Sequence, residues 1–378
     1  MIVNPRISAL PAYNAGLVTS EFERLYGRLP VAKLDSNEAP FGTSLLAIEA
    51  GKQALATPAI YPEGNGTALR CALAEHMQVP MDRVLLGNGS EELIYACFAV
   101  VLEPGDHVLT VAPGFGLHSL AALRLGNDVR RLTYGPDWTL PINELKQGLS
   151  DGPKIFAIAT PSNPMGVAMT LGGLEALLHA TGPDTLFLLD EAYFEYHPLA
   201  TLDLLAASKR NWISLRTFSK AYALAGLRIG YGLCSSPALR DAMRHTTTPF
   251  NANAISQAMA LAALGDTAHL QSTLRLTQSA REMFCQKLKA SGFRPAPSVA
   301  NALFFEISAP AQEAADELCQ EGILIKPWKE PGFENFLRVS VGTEQDNKAF
   351  TEAIERLGIE PSQTATGGFA PRNVQIGE

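Results

Sequence analysis

Six residues with chemically useful side chains occur at or shortly after the ends of short apolar runs in the sequence. They are Ser90, Phe115, Asn163, Asp190, Tyr193 and Lys220. An amine can bond to a carbonyl carbon, and a carboxylate can keep a ring nitrogen protonated. A serine at a glycine-flanked helix start lies beside unpaired N–H groups, which bind phosphate. Together these groups suit pyridoxal phosphate.

The apolar runs predict how these residues are positioned. The runs are Arg83–Leu86, His107–Ala112, Ile155–Ala159, Leu186–Leu189, Ile213–Arg216 and Arg228–Leu233. Runs without polar alternation are typical of parallel strands that are covered on both faces. Helical stretches such as Glu91–Leu102 often follow them, which predicts an α/β fold with a mostly parallel sheet between helices. Because ligands bind beyond the carboxyl ends of such strands, we expect the six residues to converge at one edge.

The rest of the chain predicts a smaller α+β domain. Ala254–Gly265 and Leu270–Lys289 read as helices, whereas Phe304–Ile307 and Phe336–Val341 read as strands. Alternation within the last segment predicts a sheet with one buried face. We therefore expect an N-terminal arm at 1–38, which joins the small domain or a dimer contact. A large cofactor-binding domain is predicted at 39–250, the small domain at 251–360, and a mobile tail without apolar periodicity at 361–378.

Composition and charge exclude several classes of protein. The 378 residues contain 30 Lys+Arg and 38 Asp+Glu, a net charge of −8, which argues against a protein that coats nucleic acid. No apolar run approaches the roughly 20 residues of a membrane helix, and the N-terminus lacks the pattern of a signal peptide. We therefore expect neither a nucleic-acid nor a membrane partner.

The cysteine and histidine positions do not predict a metal site. The five cysteines are odd in number and none has CxxC spacing, so neither a disulfide framework nor a cysteine zinc site is expected. This usage favours a reducing cytoplasm. His118 and His197 lie near the candidate residues, but metal-ligand spacing does not accompany them. We expect both histidines to pack or to form hydrogen bonds, without a catalytic role.

The segment TFSKAYALAGLRIGY, at 217–231, resembles the cofactor-lysine signature of fold-type I pyridoxal-phosphate-dependent aminotransferases. The similarity is closest to the histidinol-phosphate aminotransferase group. Further matching segments follow in the same order: LDSNEAPFG at 34–42, GNGSEELI at 87–94, PSNPMG at 161–166, DEAYFEY at 190–196 and LRVSVGT at 337–343. The resemblance covers roughly residues 5–360. It implies a fold-type I transferase with a large and a small domain.

The resemblance implies a role for each residue around the cofactor ring. Lys220 would bond to the cofactor and then carry the proton between substrate and cofactor carbons. Asp190 would pair with the ring nitrogen, and Asn163 and Tyr193 would hydrogen-bond the ring hydroxyl. Phe115 would stack on the ring, although ordinary core packing also explains an aromatic residue there. Lys220, Asp190 and Tyr193 are therefore the predicted catalytic residues.

The phosphate would be held at the start of the helix that follows the GNGS segment. The residues implied are Gly89, Ser90, Glu91, Ser219 and Arg228. Glu91 also suits a helix start on electrostatic grounds alone. Tyr61 would reach the phosphate across a subunit interface, which implies a homodimer with shared active sites.

Four residues are implied in substrate binding: Arg338, Lys326, Tyr13 and Asn37. The arginine fork suits a carboxylate or a phosphate. The related group usually carries arginine where this chain has Lys326, which binds phosphate as a point charge. Tyr13 resembles an arm residue that closes over substrate, and packing explains it equally well.

The implied reaction is transamination of histidinol phosphate with 2-oxoglutarate and glutamate as the acceptor pair, in histidine biosynthesis. The partners would be a small-molecule amine or amino acid and a 2-oxo acid. An aminotransferase for aromatic or other amino acids is an alternative, as is a pyridoxal-phosphate-dependent lyase or cyclase of the same fold in a specialised pathway. The cofactor residues are common to all of these reactions, so only the substrate pocket can discriminate between them.

Overall fold

The computed structural model describes residues 2–11 and 16–363. Its α-helices are α1 (Pro5–Ala9), α2 (Thr19–Tyr26), α3 (Leu45–Ala54), α4 (Thr67–Met77), α5 (Gly89–Val101), α6 (Gly116–Leu125), α7 (Ile142–Ser150), α8 (Leu171–Ala180), α9 (Thr201–Ala207), α10 (Pro237–Arg244), α11 (Ala254–Gly265), α12 (Thr267–Ala290), α13 (Ala311–Gln320) and α14 (Glu344–Arg356). Its strands are β1 (Ala32–Lys33), β2 (Val84–Asn88), β3 (His107–Ala112), β4 (Asp128–Thr133), β5 (Ile155–Ala159), β6 (Leu186–Asp190), β7 (Asn211–Thr217), β8 (Ile229–Cys234), β9 (Ala302–Glu306), β10 (Ile323–Leu324), β11 (Lys326–Pro327) and β12 (Phe336–Ser340). Short 3-10 turns occur at Met81–Arg83, Pro136–Trp138, Phe194–Tyr196 and Ala225–Leu227.

The central sheet has the strand order β2-β8-β7-β6-β5-β3-β4. Neighbouring strands are parallel except that β8 is antiparallel to both β2 and β7. The expected mostly parallel α/β sheet is therefore confirmed. Strand β8 differs because a short connection brings the chain back directly beside β7, which only an antiparallel pair permits. The start of β8 consequently lies at the same edge as the ends of its neighbours.

Burial on both faces explains why the strand sequences lack polar alternation. In β5, Phe156 and Ile158 belong to the core on one side of the sheet, whereas Ile155 and Ala157 belong to the core on the other. Successive side chains of a strand point to opposite faces, so a strand that is covered twice must be apolar throughout. The helices on the two faces provide that cover.

A three-stranded antiparallel sheet, β11-β12-β9, forms the base of the second unit. The prediction of one buried face on β12 is wrong, because all five of its residues are buried. Leu337 and Val339 pack into the core of the small unit. Arg338 and Ser340, on the opposite face, contact the N-terminal segment and the large sheet's loops. The second face is buried because the two units close against each other there.

Part of the N-terminal segment joins the small unit. Strand β1 pairs in parallel with β10, with Ala32 opposite Ile323. Pro361 forms a single bridge with Ile307. The rest of the predicted tail, residues 364–378, lies outside the described residues, and the predicted domain limits stay predictions. Within 2–11 and 16–363, no helix is both long and apolar enough to cross a membrane.

Candidate active site

A cavity of about 470 Å³ lies at the edge where the strands of the large sheet end. Eleven of the predicted site residues line it: Ser90, Glu91, Phe115, Asn163, Asp190, Tyr193, Ser219, Lys220, Arg228, Lys326 and Arg338. They come from loops and strand ends that are distant in sequence, and from both sheets. The structure therefore brings these side chains together, while their chemical roles stay predictions.

Lys220 lies in the loop between β7 and β8. Its Nζ donates hydrogen bonds to the carbonyl oxygens of Ser36 at 3.1 Å and Asn37 at 3.3 Å. Burial, together with the positive charge of Arg338, lowers the pKa of Lys220 to about 7. A neutral amine is therefore available near neutral pH, as a nucleophile or a proton acceptor requires.

Asp190 is the last residue of β6 and is buried. Its Oδ1 accepts a hydrogen bond from the Ala192 N–H at 3.1 Å, and its Oδ2 lies 3.2 Å from Nε2 of His118. His118 also packs edge-on against Phe115, with ring centroids 5.5 Å apart. These contacts fix the carboxylate in the cavity. His118 thus positions the carboxylate of Asp190. The sequence does not predict this partner. It does place His118 three residues after Phe115, so both lie on one helical turn.

Asn37 is buried behind Tyr193 and does not line the cavity. Its Nδ2 donates to the Tyr193 hydroxyl at 2.9 Å, and its backbone N–H donates to Ser340 Oγ at 2.7 Å. The Asn37 side chain forms hydrogen bonds with Tyr193 and Ser340, and its predicted contact with substrate stays a prediction. It positions Tyr193 and, through its carbonyl, the amine of Lys220.

Two glycines create a cradle at the start of α5. The helix begins at Gly89, two residues earlier than predicted, and Gly89 has a φ of +72°. A Cβ at Gly89 would lie 2.6 Å from Arg228 Nη2, and one at Gly230 would lie 2.5 Å from the Ser90 nitrogen. Only glycine allows Arg228 and β8 to approach the helix N-terminus this closely. Gly230 was not among the predicted site residues.

Arg228 and Ser219 complete the cradle. Arg228 Nη1 donates to Ser219 Oγ at 3.4 Å, and Arg228 Nη2 lies 3.6 Å from Glu91 Oε2. The two charged side chains are each more than a third exposed, so their ion pair is weak. Arg228 can therefore turn toward an anionic ligand at low cost, which agrees with its predicted phosphate role.

Two neighbouring cations, Lys326 and Arg338, line the cavity. Lys326 and Arg338 are register partners on β11 and β12. Arg338 donates from Nη1 to Asn163 Oδ1 at 3.0 Å and from Nη2 to the Asp35 carbonyl. Burial and the charge of Arg338 lower the pKa of Lys326 to about 8. An anion bound between the two side chains would relieve their repulsion.

Tyr61 is a predicted site residue that does not line the cavity, and the same holds for Gly89 and Asn37. Tyr61 is 79% exposed and stacks on Phe250, with ring centroids 4.6 Å apart. It does not line the cavity of its own chain, so its predicted role across a subunit interface stays a prediction. Tyr13 lies outside the described residues.

The residues present fit pyridoxal phosphate. The buried, fixed carboxylate of Asp190 suits a ring nitrogen, and Phe115 offers a ring face beside it. The helix start at Ser90, which the two glycines keep open, suits a phosphate. Lys220, with its lowered pKa, lies in the same cavity.

Several known proteins are similar to nearly the whole chain. Histidinol-phosphate aminotransferase 3 of Rhizobium meliloti is 39% identical over 360 residues, covering 94% of this chain and 97% of the relative. Histidinol-phosphate aminotransferase 1 of Mesorhizobium japonicum is 38% identical, covering 94% and 98%. The crystal structure of histidinol-phosphate aminotransferase from Sinorhizobium meliloti in complex with pyridoxal-5'-phosphate superposes with a TM-score of 0.86 at 27% identity, covering 94% and 98%.

The family model described as aminotransferase class I and II matches residues 30–355. This range includes every residue named above as lining the cavity. The chain therefore belongs to the aminotransferase class I and II family, which confirms the expectation of a pyridoxal-phosphate-dependent aminotransferase.

Proposed function

We propose that this aminotransferase takes histidinol phosphate as its amine substrate and 2-oxoglutarate as its acceptor, in histidine biosynthesis. The observation that carries the proposal is the Lys326–Arg338 pair, which offers two neighbouring cations in the cavity that holds Lys220. A phosphate, with up to two negative charges, complements two cations better than a single carboxylate does. The names of the relatives support the same substrate.

The chain's own residues supply the proton chemistry. Bound pyridoxal phosphate provides an electron sink for charge that develops at the substrate carbon. Burial lowers the pKa of Lys220 to about 7, so its Nζ can accept a proton from that carbon and return it to a neighbouring atom. Asp190 holds a proton on the ring nitrogen because its carboxylate is buried and fixed by Ala192 and His118.

A single half-reaction tests the substrate. The purified protein, loaded with pyridoxal phosphate, is mixed with histidinol phosphate alone, and the visible spectrum is recorded. We expect the absorption of the pyridoxal form to be replaced by that of the pyridoxamine form. An unchanged spectrum with histidinol phosphate, together with conversion by an aromatic amino acid, would overturn the proposed donor and favour the second candidate.

Replacing Arg338 with alanine is expected to lower kcat/KM for histidinol phosphate by roughly 10–1000-fold, the worth of one or two charge-assisted hydrogen bonds. The loss should fall mainly on KM, because the arginine binds the substrate's anion and does not move its proton. Steady-state kinetics checks this prediction. Arg275→Ala, on the exposed surface of α12, is the matched control. Equal kinetics for both variants would remove Arg338 from the site.

We also propose a homodimer with shared active sites. Apolar side chains near the chain's surface support it: Leu45, Leu46, Leu55, Ile60, Tyr61 and Phe250 are each at least 46% exposed. Exposed apolar side chains of this kind are common at interaction surfaces, and two of them, Tyr61 and Phe250, stack on each other. Tyr61, turned away from its own cavity, is then presented to the other subunit.

Hybrid dimers test the sharing. Lys220→Ala disables a chain's own cavity, whereas Tyr61→Ala is expected to damage the partner's cavity. Equal mixing and reassociation makes half of the dimers hybrids, each with one native site, so activity should recover to about one quarter of the wild-type value. Activity that never exceeds the average of the two parent variants would show that Tyr61 does not act across an interface.

The cytoplasm is the proposed compartment. All five cysteines are free thiols, and Cys97 and Cys234 are buried. Burial raises the pKa of Cys234 to about 12, so its thiol stays protonated and inert. This usage is typical of proteins from reducing compartments.

A further inference from the structure

Two charged side chains that have no role in the proposed mechanism line the cavity near Phe115, the predicted ring-stacking residue. Glu330 and Arg131 both line the cavity, and their side chains are only 15% and 20% exposed. Arg131 belongs to the edge strand β4, and Glu330 to the loop between β11 and β12. Neither residue takes part in the cofactor chemistry described above.

One oxygen of Glu330 is held firmly. Its Oε2 accepts hydrogen bonds from the Gly114 N–H at 3.0 Å and from Trp328 Nε1 at 3.2 Å. Gly114 directly precedes Phe115, and a Cβ there would lie 2.4 Å from the Val111 carbonyl oxygen. The carboxylate is therefore anchored to the backbone that carries the predicted stacking ring.

The other oxygen of Glu330 has capacity to accept. Its Oε1 lies 3.8 Å from Arg131 Nη1, which is too long for a hydrogen bond. Among the described residues, no hydrogen bond to Oε1 is formed, and Arg131 Nε is buried without a partner. Burial raises the pKa of Glu330, while the Gly114 N–H, Trp328 and Arg131 favour its charged form. A ligand that donates to Oε1 would supply the hydrogen bond that this buried oxygen lacks.

Glu330 lies close to Arg338, the residue that is proposed to bind the substrate's anion. Trp328 donates to Glu330, and its ring centroid lies 6.0 Å from Cζ of Arg338. One indole therefore separates the acceptor from the arginine that is proposed to bind the phosphate. A compact substrate with an anionic group at one end and an N–H donor on a ring at the other offers complementary groups to Arg338 and Glu330, which both line the cavity.

From this geometry we propose that Glu330, held by Gly114 and Trp328 and flanked by Arg131, is a specificity subsite that accepts a hydrogen bond from the ring N–H of the substrate's imidazole. The inference rests on the proposed function and deepens it. Phosphate recognition by Lys326 and Arg338 would select the anion, whereas Glu330 would select the ring. A site that is built to hydrogen-bond a substrate N–H discriminates strongly against analogues that lack it.

The variant Glu330→Gln tests the subsite. Its carbonyl oxygen must face the two donors that hold Oε2, so its NH₂ group faces the cavity and replaces an acceptor with a donor of equal size. We expect kcat/KM for histidinol phosphate to fall about 10–100-fold, mainly through KM. The ratio of this value to kcat/KM for glutamate should fall at least tenfold. Glu334→Gln, on the same loop but exposed and outside the cavity, is the matched control.

A ligand change gives a second measurement that needs no altered protein. Methylation of the ring nitrogen that donates should weaken binding to the wild type about 10-fold or more, and should have little further effect in Glu330→Gln. Calorimetric binding to the Lys220→Ala chain, with and without Glu330→Gln, measures this coupling without turnover. Equal losses for histidinol phosphate and glutamate, or no coupling between ring methylation and Glu330→Gln, would overturn the subsite.

Different experimental results would contradict the proposed substrate and the proposed subsite. If the wild type does not react with histidinol phosphate, the proposed donor is wrong, and the subsite is then tested with L-histidine and L-phenylalanine as competing ligands. A Glu330→Gln variant that loses affinity for histidine but not for phenylalanine would still support the subsite. Parallel changes for both ligands would overturn it.

Discussion

Replacing Lys220 with alanine is expected to reduce turnover by at least roughly 10²–10⁴-fold, the contribution of general acid–base catalysis alone. The loss should exceed that range because the same amine also bonds the cofactor in the proposed mechanism. Lys220 Nζ is held by the carbonyls of Ser36 and Asn37, and burial lowers its pKa to about 7. Single-turnover kinetics and the visible spectrum of the loaded variant measure the effect. Turnover near the wild-type rate would overturn the assignment.

The apo form of the same variant provides a control for folding. The pKa of Lys220 is lowered from 10.5 to about 7 in the folded state, so the unfolded chain binds more protons between these values. The wild type therefore becomes more stable as pH rises from about 7 to about 10.5, and this buried amine costs stability at pH 7. We expect apo Lys220→Ala to be less dependent on pH over that range. Lys289→Ala, exposed on α12, should keep the wild-type pH dependence.

The second large effect is expected for Asp190→Asn, which should lower kcat by roughly 10²–10³-fold. Asparagine keeps the size of the side chain but removes the charge that keeps a ring nitrogen protonated. Because Asp190 is buried, solvent cannot replace that charge. Stopped-flow kinetics should show a slow proton transfer, and equilibrium dialysis should show weaker cofactor retention.

The control for Asp190 is Asp184→Asn, an exposed position before the same strand. It should leave both kcat and cofactor affinity unchanged, since it removes a charge that is far from the cavity. A variant at Asp190 with unchanged kcat would remove the carboxylate from the proposed proton chemistry. Equal effects at positions 184 and 190 would point to net charge instead of local electrostatics.

Several contacts of the site could not be predicted from the sequence. His118 and Asp190 are separated by 72 residues, and Gly114 and Glu330 by 216. Apolar periodicity reports only whether a residue lies on a strand or a helix, and it carries no signal for such pairs. The sequence therefore predicts that His118 packs or forms a hydrogen bond, but it does not predict that Asp190 is the partner, and it does not indicate Glu330.

The direction of β8 and the burial of both faces of β12 could not be predicted from the sequence either. The run at β8 is as apolar as its parallel neighbours, because coverage on both faces sets composition and does not set direction. The alternation Leu337-Arg338-Val339-Ser340 predicts one exposed face. In the structure that face is buried. Arg338 donates hydrogen bonds to Asn163 and the Asp35 carbonyl there, and Ser340 donates one to Asn37.

The sequence by itself determined six of the seven strands of the central sheet and the chemical groups that follow them, but not the edge strand β4. Both are local properties, since a buried run and the polar residue at its end are adjacent in the chain. The parallel-sheet rule then predicts convergence at one edge, and the cavity lies there. Only the tertiary structure decided which side chains meet, which lie behind the cavity and which carry unused hydrogen-bonding capacity. Those properties depend on distances and burial between residues that are far apart in sequence. This is why the sequence did not predict that Asn37 lies behind Tyr193 or that Glu330 lines the cavity.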